Sequence, residues 1–196
     1  MVDVDFPALT GFYKFLFLYL EPSQFQLSLR SLHLLTDHLE VSTMIPAAMI
    51  LTFPGAAWFY HELIPTPTSE PLQSLDARSK LAVWQLGNCY LLLGMISTVV
   101  FRTIRNAVPK DPQLQERLVG SLLFCLAVAD LSHIFTSFLG IGDGLRYSPA
   151  AWNATTHGNI TFTMFLFLVR ASWFLGVRRQ RFYYGGLGNN TNKKQI

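Results

Sequence analysis

An aspartate and a histidine inside one long apolar segment are the residues most suited to carry out chemistry. Residues 118–139 suffice to cross a bilayer, since ~20 residues at 1.5 Å each cover the ~30 Å hydrocarbon layer. Asp130 and His133 lie near the middle of this segment, and a spacing of three places both on one helical face. A charge at that depth costs roughly 2.5–3.5 kcal/mol unless it meets a partner or a cavity. A carboxylate beside an imidazole in such a low-dielectric site can move protons.

Other polar residues are predicted at similar depths in neighbouring segments. Counting ~1.5 Å per residue from the predicted helix ends places Glu21 and Arg170 near the level of Asp130. One arginine and two carboxylates at one depth are typical of a paired cluster inside a membrane. Gln85, Asn88 and Asn159 fall, with His133, in the lumenal half. The sequence therefore predicts a polar pocket that opens toward the lumen above the charged cluster.

A purely structural role explains the same residues. An Asp–Arg pair and amide hydrogen bonds can simply hold membrane helices together, each contact contributing roughly 0.5–2 kcal/mol. Arg170 fits a charge partner better than a catalyst, and Gln85 and Asn88 are typical of contacts between helices. Both interpretations stay open at this stage.

The composition indicates a membrane protein. Of 196 residues, 51% are hydrophobic and 14% charged, whereas soluble domains carry about 25% charged residues. The formal net charge of +3 comes from basic residues at segment ends, which does not indicate nucleic-acid binding. His33 and His38 are five apart and miss the spacing of a helical metal site, so we expect neither metal nor cofactor.

We predict an all-α, polytopic transmembrane bundle of about four spans. The spans lie near residues 12–35, 81–101, 118–139 and 160–177, within one domain over residues 1–177. Prolines interrupt the apolar run Met44–Tyr60, which suits a re-entrant segment better than a fifth crossing. Residues 178–196 form a basic tail that we expect to be disordered.

Charge predicts the orientation and the location. Lys and Arg concentrate in the loop after the second span and in the tail, which places both ends of the four-span bundle in the cytoplasm. Lys193 and Lys194 resemble the dilysine retrieval signal of endoplasmic-reticulum membrane proteins, which acts only on a cytoplasmic tail. We therefore expect an integral protein of the endoplasmic reticulum.

The chain contains several short motifs: Glu-Pro at residues 21–22, Gln-Leu-x-Asn-x-Tyr at 85–90, Ala-Asp-x-x-His at 129–133 and Trp-Asn, Gly-Asn and Arg at 152–170. Together they resemble a family of fungal integral membrane proteins known only as a domain of unknown function. The resemblance covers residues 81–177 well and the first half poorly. Ser132 replaces a glycine usual in that family. The resemblance implies an architecture and a fungal source but no activity.

Two functional hypotheses follow from the residues. In the first, the pocket binds or converts a lipophilic small molecule of terpenoid or sterol type. An isomerase or cyclase would use Asp130 or Glu21 as the acid and His133 as the proton relay. In the second, the protein is a non-enzymatic membrane scaffold, and its polar core only fixes helix packing. A homodimer is compatible with both.

Overall fold

The computed structural model describes residues 7–17, 44–65 and 74–184, and all regular secondary structure within these ranges is helical. The α-helices are α1 (Gly11–Phe15), α2 (Met44–Leu51), α3 (Ala56–Glu62), α4 (Ala77–Met95), α5 (Phe101–Ala107), α6 (Pro112–Gly140), α7 (Asp143–Arg146), α8 (Ala154–His157) and α9 (Thr163–Leu175). The π-helical stretches Ile96–Val100 and Gly158–Phe162 join α4 to α5 and α8 to α9.

Two helical stretches are long and apolar enough to cross a membrane, judged by length and composition. They are Pro112–Gly140 and Ala154–Leu175. Only 28% of the 18-residue apolar part of each is buried. Phe124, Val128 and Phe135 on α6 are each more than half exposed. A large outward apolar surface suits lipid better than water. The all-helical class is therefore confirmed, and the two helices suggest a bilayer environment, whereas the count of four spans remains a prediction.

The two spanning stretches begin earlier than the hydropathy pattern predicts. A carboxylate oxygen of Asp111 accepts a hydrogen bond from the Leu114 N–H at 2.9 Å, and Pro112 occupies the first turn. The side-chain oxygen of Asn153 likewise accepts from the Thr156 N–H at 2.9 Å. These N-caps satisfy backbone donors that a helix start leaves unpaired. Caps therefore set the starts, at residues 112 and 154 instead of 118 and 160.

The predicted span at residues 81–101 lies on a continuous helical stretch from Ala77 to Ala107, about 46 Å long at 1.5 Å per residue. Asp76 caps its start by accepting from the Arg78 and Ser79 N–H groups at 2.8 and 3.2 Å. The hydrogen bond from the Ser79 hydroxyl, with the backbone hydrogen bonds, lowers the pKa of Asp76. The helical stretch from Ala77 to Ala107 is long enough to cross a membrane, and that it does so remains a prediction.

Residues 44–62 form two short helices beside α4 instead of one long one. The helices α2 and α3 contain 8 and 7 residues, too few to cross the ~30 Å hydrocarbon layer. Ile50 and Phe59 pack with Val83 of α4 in one core cluster. Gly87 of α4 permits this contact, because a Cβ there would lie 3.1 Å from Ile50 Cγ2. The geometry favours the re-entrant interpretation of Met44–Tyr60. Of the predicted first span, only residues 12–17 lie within the described residues.

The second core cluster joins the N-terminal segment to α5, α6 and α9. It contains Leu9, Tyr13 and Phe17 together with Phe101, Leu123 and Trp173. Trp173 Nε1 donates to the Ala8 carbonyl at 2.9 Å, and the Tyr13 hydroxyl donates to the Val177 carbonyl at 3.0 Å. Residues 7–17 are therefore fixed at the end of the bundle where α9 ends.

Residues 176–184 fold back onto α6, which differs from the prediction of a disordered tail from residue 178. Gly176 ends α9 in the left-handed conformation (φ 73°), which glycine adopts without steric cost. Glu116, fully buried on α6, accepts from Arg179 Nη2 at 2.7 Å, from the Tyr183 N–H at 2.6 Å and from the Phe182 N–H. Arg179 also lies 3.8 Å above the Trp173 ring. Residues 185–196 lie outside the described residues.

The Glu116 contacts predict that this carboxylate holds residues 176–184 in place. Glu116→Gln removes the charge and one acceptor oxygen, and hydrogen bonds to a charged group contribute about 1.5–3 kcal/mol each. We expect the Phe182 and Tyr183 amides to exchange with solvent at least about tenfold faster in hydrogen-exchange mass spectrometry, since 1.4 kcal/mol is a factor of ten. Asp143→Asn, at an exposed carboxylate, is the control. Unchanged exchange in Glu116→Gln would show that apolar packing alone holds the segment.

Candidate functional site

The candidate site is built around an ion pair between the two helical stretches that are long and apolar enough to span a membrane. Arg170 Nη1 of α9 donates to Asp130 Oδ2 of α6. The two side chains are 2% and 11% exposed, so both charges are almost completely removed from solvent. The pairing of Asp130 with Arg170 that depth counting predicts is thus present.

Helical periodicity explains why these two side chains meet. Leu123, Leu126 and Asp130 belong to the buried face of α6, and Leu166, Val169 and Arg170 belong to that of α9. The α6 residues recur at spacings of three, four and seven, and Val169 and Arg170 follow Leu166 at three and four, the pattern of one helical face. The two apolar faces pack together, so the polar member of each must either meet the other or stay unpaired. Arg170 also lies over the Phe17 ring, 6.0 Å from its centroid.

His133 lies one turn beyond Asp130 and is half-buried. Within the described chain, no hydrogen bond joins its ring to the Asp130 carboxylate. Thr136, on the next turn, uses its hydroxyl to donate to the backbone carbonyls of Ser132 and His133, at 2.9 and 3.1 Å. The arrangement therefore gives Asp130 a cationic partner in Arg170, and His133 remains a neighbour without the direct contact that a proton relay uses.

Gln85 and Asn88 do not join this pair, contrary to the predicted pocket. Both are exposed on α4, because α4 uses its opposite face, with Val83 and Gly87, to pack against α2 and α3. Neither side-chain amide has a hydrogen-bond partner among the described residues. Spacing correctly places the two amides on one face, but that face points away from the bundle.

Asn159 lies in a different place, at the end of α6 that is remote from Glu116. A cavity of about 180 Å³ there is lined by side chains that include Ser137, Ile141, Thr156, Asn159 and Ile160. Asp130 and His133 are not among its lining residues. Seven residues separate Asp130 from Ser137, which is about 10 Å along a helix axis. The predicted single pocket is thus replaced by an ion pair and a separate small cavity.

The remaining predicted residues cannot be located. Glu21, the second predicted acid, and Lys193 and Lys194, the predicted retrieval signal, lie outside the described residues. Within the parts that the structure does describe, no group of three or more His, Cys, Asp and Glu residues could hold a metal ion.

The Trp-Asn motif has a structural role at the cavity end. Asn153 Nδ2 donates to the Glu62 carbonyl at 2.9 Å, while its oxygen caps α8. Trp152 Nε1 donates to the Leu145 carbonyl at 2.8 Å. Nearby, Arg146 donates to the Phe138, Leu139 and Ile141 carbonyls at 3.0–3.1 Å. A cation at this position satisfies the carbonyls that a helix end leaves free. These contacts tie the ends of α3, α6 and α8 together.

A second buried ion pair, Glu116–Arg179, was not among the predicted site residues. A signal for it exists: Glu116 follows the Asp-Pro start of α6 at a position that faces the bundle, and Arg179 follows the glycine that ends α9. Helices α6 and α9 run antiparallel, so these two positions meet at one end. The basic composition of the tail favoured a solvated interpretation over this pairing.

The fold and site define a class of protein: an all-helical chain with features of a membrane protein, in which the two helical stretches long and apolar enough to span a bilayer share a buried ion pair. The model of a domain of unknown function, DUF7704, matches residues 37–180. The chain therefore belongs to the DUF7704 family. The match includes α2 and α3, so family similarity extends further toward the N-terminus than the motifs suggested, and Glu21 precedes it. No curated protein and no solved structure matches the chain.

Geometry at Asp130 predicts strong energetic coupling to Arg170. Removing one partner of a buried pair leaves an uncompensated charge and costs about 3–5 kcal/mol. We expect Asp130→Asn and Arg170→Gln each to lower the melting temperature in detergent strongly, and the double variant to lose much less than the sum of both. Asp143→Asn, in the exposed pair with Arg146, should have little effect. Additive losses in the double variant would show that the two side chains act independently.

Proposed function

We propose that this chain is a non-enzymatic integral membrane protein that self-associates through the outward face of α4. One observation carries the proposal: Gln85 and Asn88 lie exposed on a predicted span, and neither amide has a hydrogen-bond partner within the described residues. An unsatisfied polar group in hydrocarbon costs several kcal/mol. The two amides therefore need a partner outside this part of the chain.

The spacing of exposed residues supports a helix as that partner. Leu81, Gln85, Asn88, Leu92 and Met95 are all exposed and recur at intervals of four and three; we call them the α4 stripe. This heptad spacing is that of helices packed side by side, and a polar Asn within such a stripe fixes the register. The α4 stripe therefore has the pattern of a helix–helix interface.

The chemistry of the amides favours a second copy of the same chain as the partner that binds the α4 stripe. Each amide both donates and accepts hydrogen bonds, so Asn88 of one copy satisfies Asn88 or Gln85 of another with no further residue type. Such contacts between membrane helices contribute about 0.6–1.7 kcal/mol each. The predicted homodimer thus becomes a specific interface centred on Asn88.

The geometry at Asp130 favours this scaffold function over acid–base catalysis. A general acid must reach the reacting atom within hydrogen-bond distance, and the Asp130 carboxylate already binds Arg170. The isomerase or cyclase hypothesis would need a substrate to displace that arginine, at the cost of an unpaired buried charge.

Charge distribution supports the proposed orientation. Among the described residues, Arg102, Arg105, Lys110 and Arg117 lie at the bundle end that also holds Arg178 and Arg179. We propose that this end is cytoplasmic and that Lys193 and Lys194 retain the protein in the endoplasmic reticulum.

Disulfide crosslinking in native membranes tests the proposed self-association. In a chain with Cys89→Ser and Cys125→Ser, we expect Leu92→Cys to form a covalent dimer on oxidation. Leu93→Cys, one residue off the stripe and also exposed, should form at most about a tenth as much, a difference that corresponds to ~1.4 kcal/mol. Adding Asn88→Val should abolish the Leu92→Cys dimer. Equal crosslinking at both positions, or none at residue 92, would overturn the interface.

The Asn159 cavity supports a second candidate function, binding of a small lipophilic molecule. Its lining combines apolar side chains with a few polar groups, as ligand sites do. The volume of about 180 Å³ is below the ~300–1,000 Å³ of drug-sized sites, so any ligand there would be small.

Mass spectrometry of the purified protein tests the second function. A ligand in the Asn159 cavity should co-purify with the wild type and be lost in Ser137→Phe, which fills the cavity. The ligand should persist in the folded fraction of Asp130→Asn, since that residue does not line the cavity. Ligand loss in Asp130→Asn with retained folding would instead favour the acid–base hypothesis.

A further inference from the structure

The strongest feature outside these sites is a cavity at the basic end of the bundle. It has a volume of about 520 Å³, and its lining includes Thr10, Pro112, Arg178 and Gln180. This volume is within the ~300–1,000 Å³ typical of ligand sites. The cavity lies beside the end of a membrane-spanning helix, where lipid head groups meet the protein.

Arg178 is the group that gives this cavity its chemistry. Arg179, the next residue, is buried and bound to Glu116, whereas Arg178 is exposed and has no hydrogen-bond or ion-pair partner among the described residues. Arg178 also has a left-handed backbone (φ 52°), which is uncommon for a residue with a Cβ. Both arginines line the cavity, but Arg179 is bound to Glu116, so Arg178 is the one available to a ligand.

A hydroxyl donor and a helix dipole add to the chemistry of the cavity. Thr10 precedes α1, yet its hydroxyl makes no capping hydrogen bond, so it is available to a ligand. Pro112 begins α6, and the positive end of that 29-residue helix dipole therefore points toward the cavity. The Asp111 carboxylate opposes this charge, but it caps α6 through the Leu114 N–H and is not among the lining residues.

We infer that this cavity binds the phosphate group of an anionic membrane lipid. A guanidinium matches phosphate geometry through two parallel N–H donors, the Thr10 hydroxyl adds a neutral donor, and the start of α6 adds the positive end of its dipole. The surrounding basic residues, Arg105, Lys110 and Arg117, raise the local concentration of anions. This inference does not depend on self-association through the α4 stripe.

Native mass spectrometry from mixed micelles tests the inference. The probes are phosphatidylglycerol, which is anionic, and phosphatidylcholine with the same acyl chains, which is zwitterionic. We expect the wild type to retain phosphatidylglycerol preferentially and Arg178→Gln to retain at least about threefold less, because one charge-assisted contact is lost. Arg78→Gln, an exposed arginine at the start of α4 at the opposite bundle end, should behave like the wild type.

Each alternative outcome is distinguishable. Equal losses in Arg178→Gln and Arg78→Gln would mean non-specific attraction to net charge and would overturn the site. Displacement of phosphatidylglycerol by excess inorganic phosphate, with equal thermal stabilisation by either, would assign the cavity to a soluble phosphate instead of a lipid. If Arg178→Gln unfolds, Thr10→Val provides the second variant, and undiminished lipid retention in a folded Thr10→Val would contradict the proposed donor set.

Discussion

The structure depends on the cost of placing a charge in an apolar environment. An isolated Asp130 on the buried face of α6 would be strongly unfavourable, and so would Arg170 on α9. Each charge therefore needs the other as its partner. The pair can form only at one relative position of the two helices. Apolar packing alone permits a helix to slide by a turn with little loss, since lipid and leucine are equally apolar. The ion pair thus specifies the register that packing leaves open.

Polar contacts at both ends extend this control along α6. Glu116 binds the segment after α9 at one end, and Arg146 holds the last carbonyls of α6 at the other. Glu116 and Asp130 are fourteen residues apart, about 21 Å along the axis. Two buried ion pairs at that separation fix the angle between α6 and α9 as well as their register. Between these points the contacts are apolar, and large apolar side chains such as Phe124 and Val128 are exposed on the outward surface.

The sequence allows some of this arrangement to be predicted. Hydropathy identifies both apolar helices, and depth counting pairs Asp130 with Arg170, because a charge in a membrane has few permitted partners. The position of Gln85 and Asn88 could not be predicted in the same way. Periodicity places both amides on one face of α4. Whether that face points into the bundle or outward depends on how α2 and α3 pack against Val83 and Gly87 on the opposite face. The Glu116–Arg179 pair was missed because tail composition resembles that of a solvated segment.

Buried acids in membrane helices serve catalysis and packing alike, so residue type cannot separate the two roles. The surroundings of the acid can separate them. A catalytic acid needs space for a substrate beside its carboxylate, whereas an acid with a structural role needs a permanent partner. Asp130 has the partner, and the cavity near Asn159 begins two turns away. Among the described residues, the polar side chains that lie at the surface without a partner include the two amides on the outer face of α4 and Arg178 at the basic end. In a molecule whose buried charges are paired, such outward groups indicate where other molecules bind. That distribution is why we place the function of this chain on its surface and not in its core.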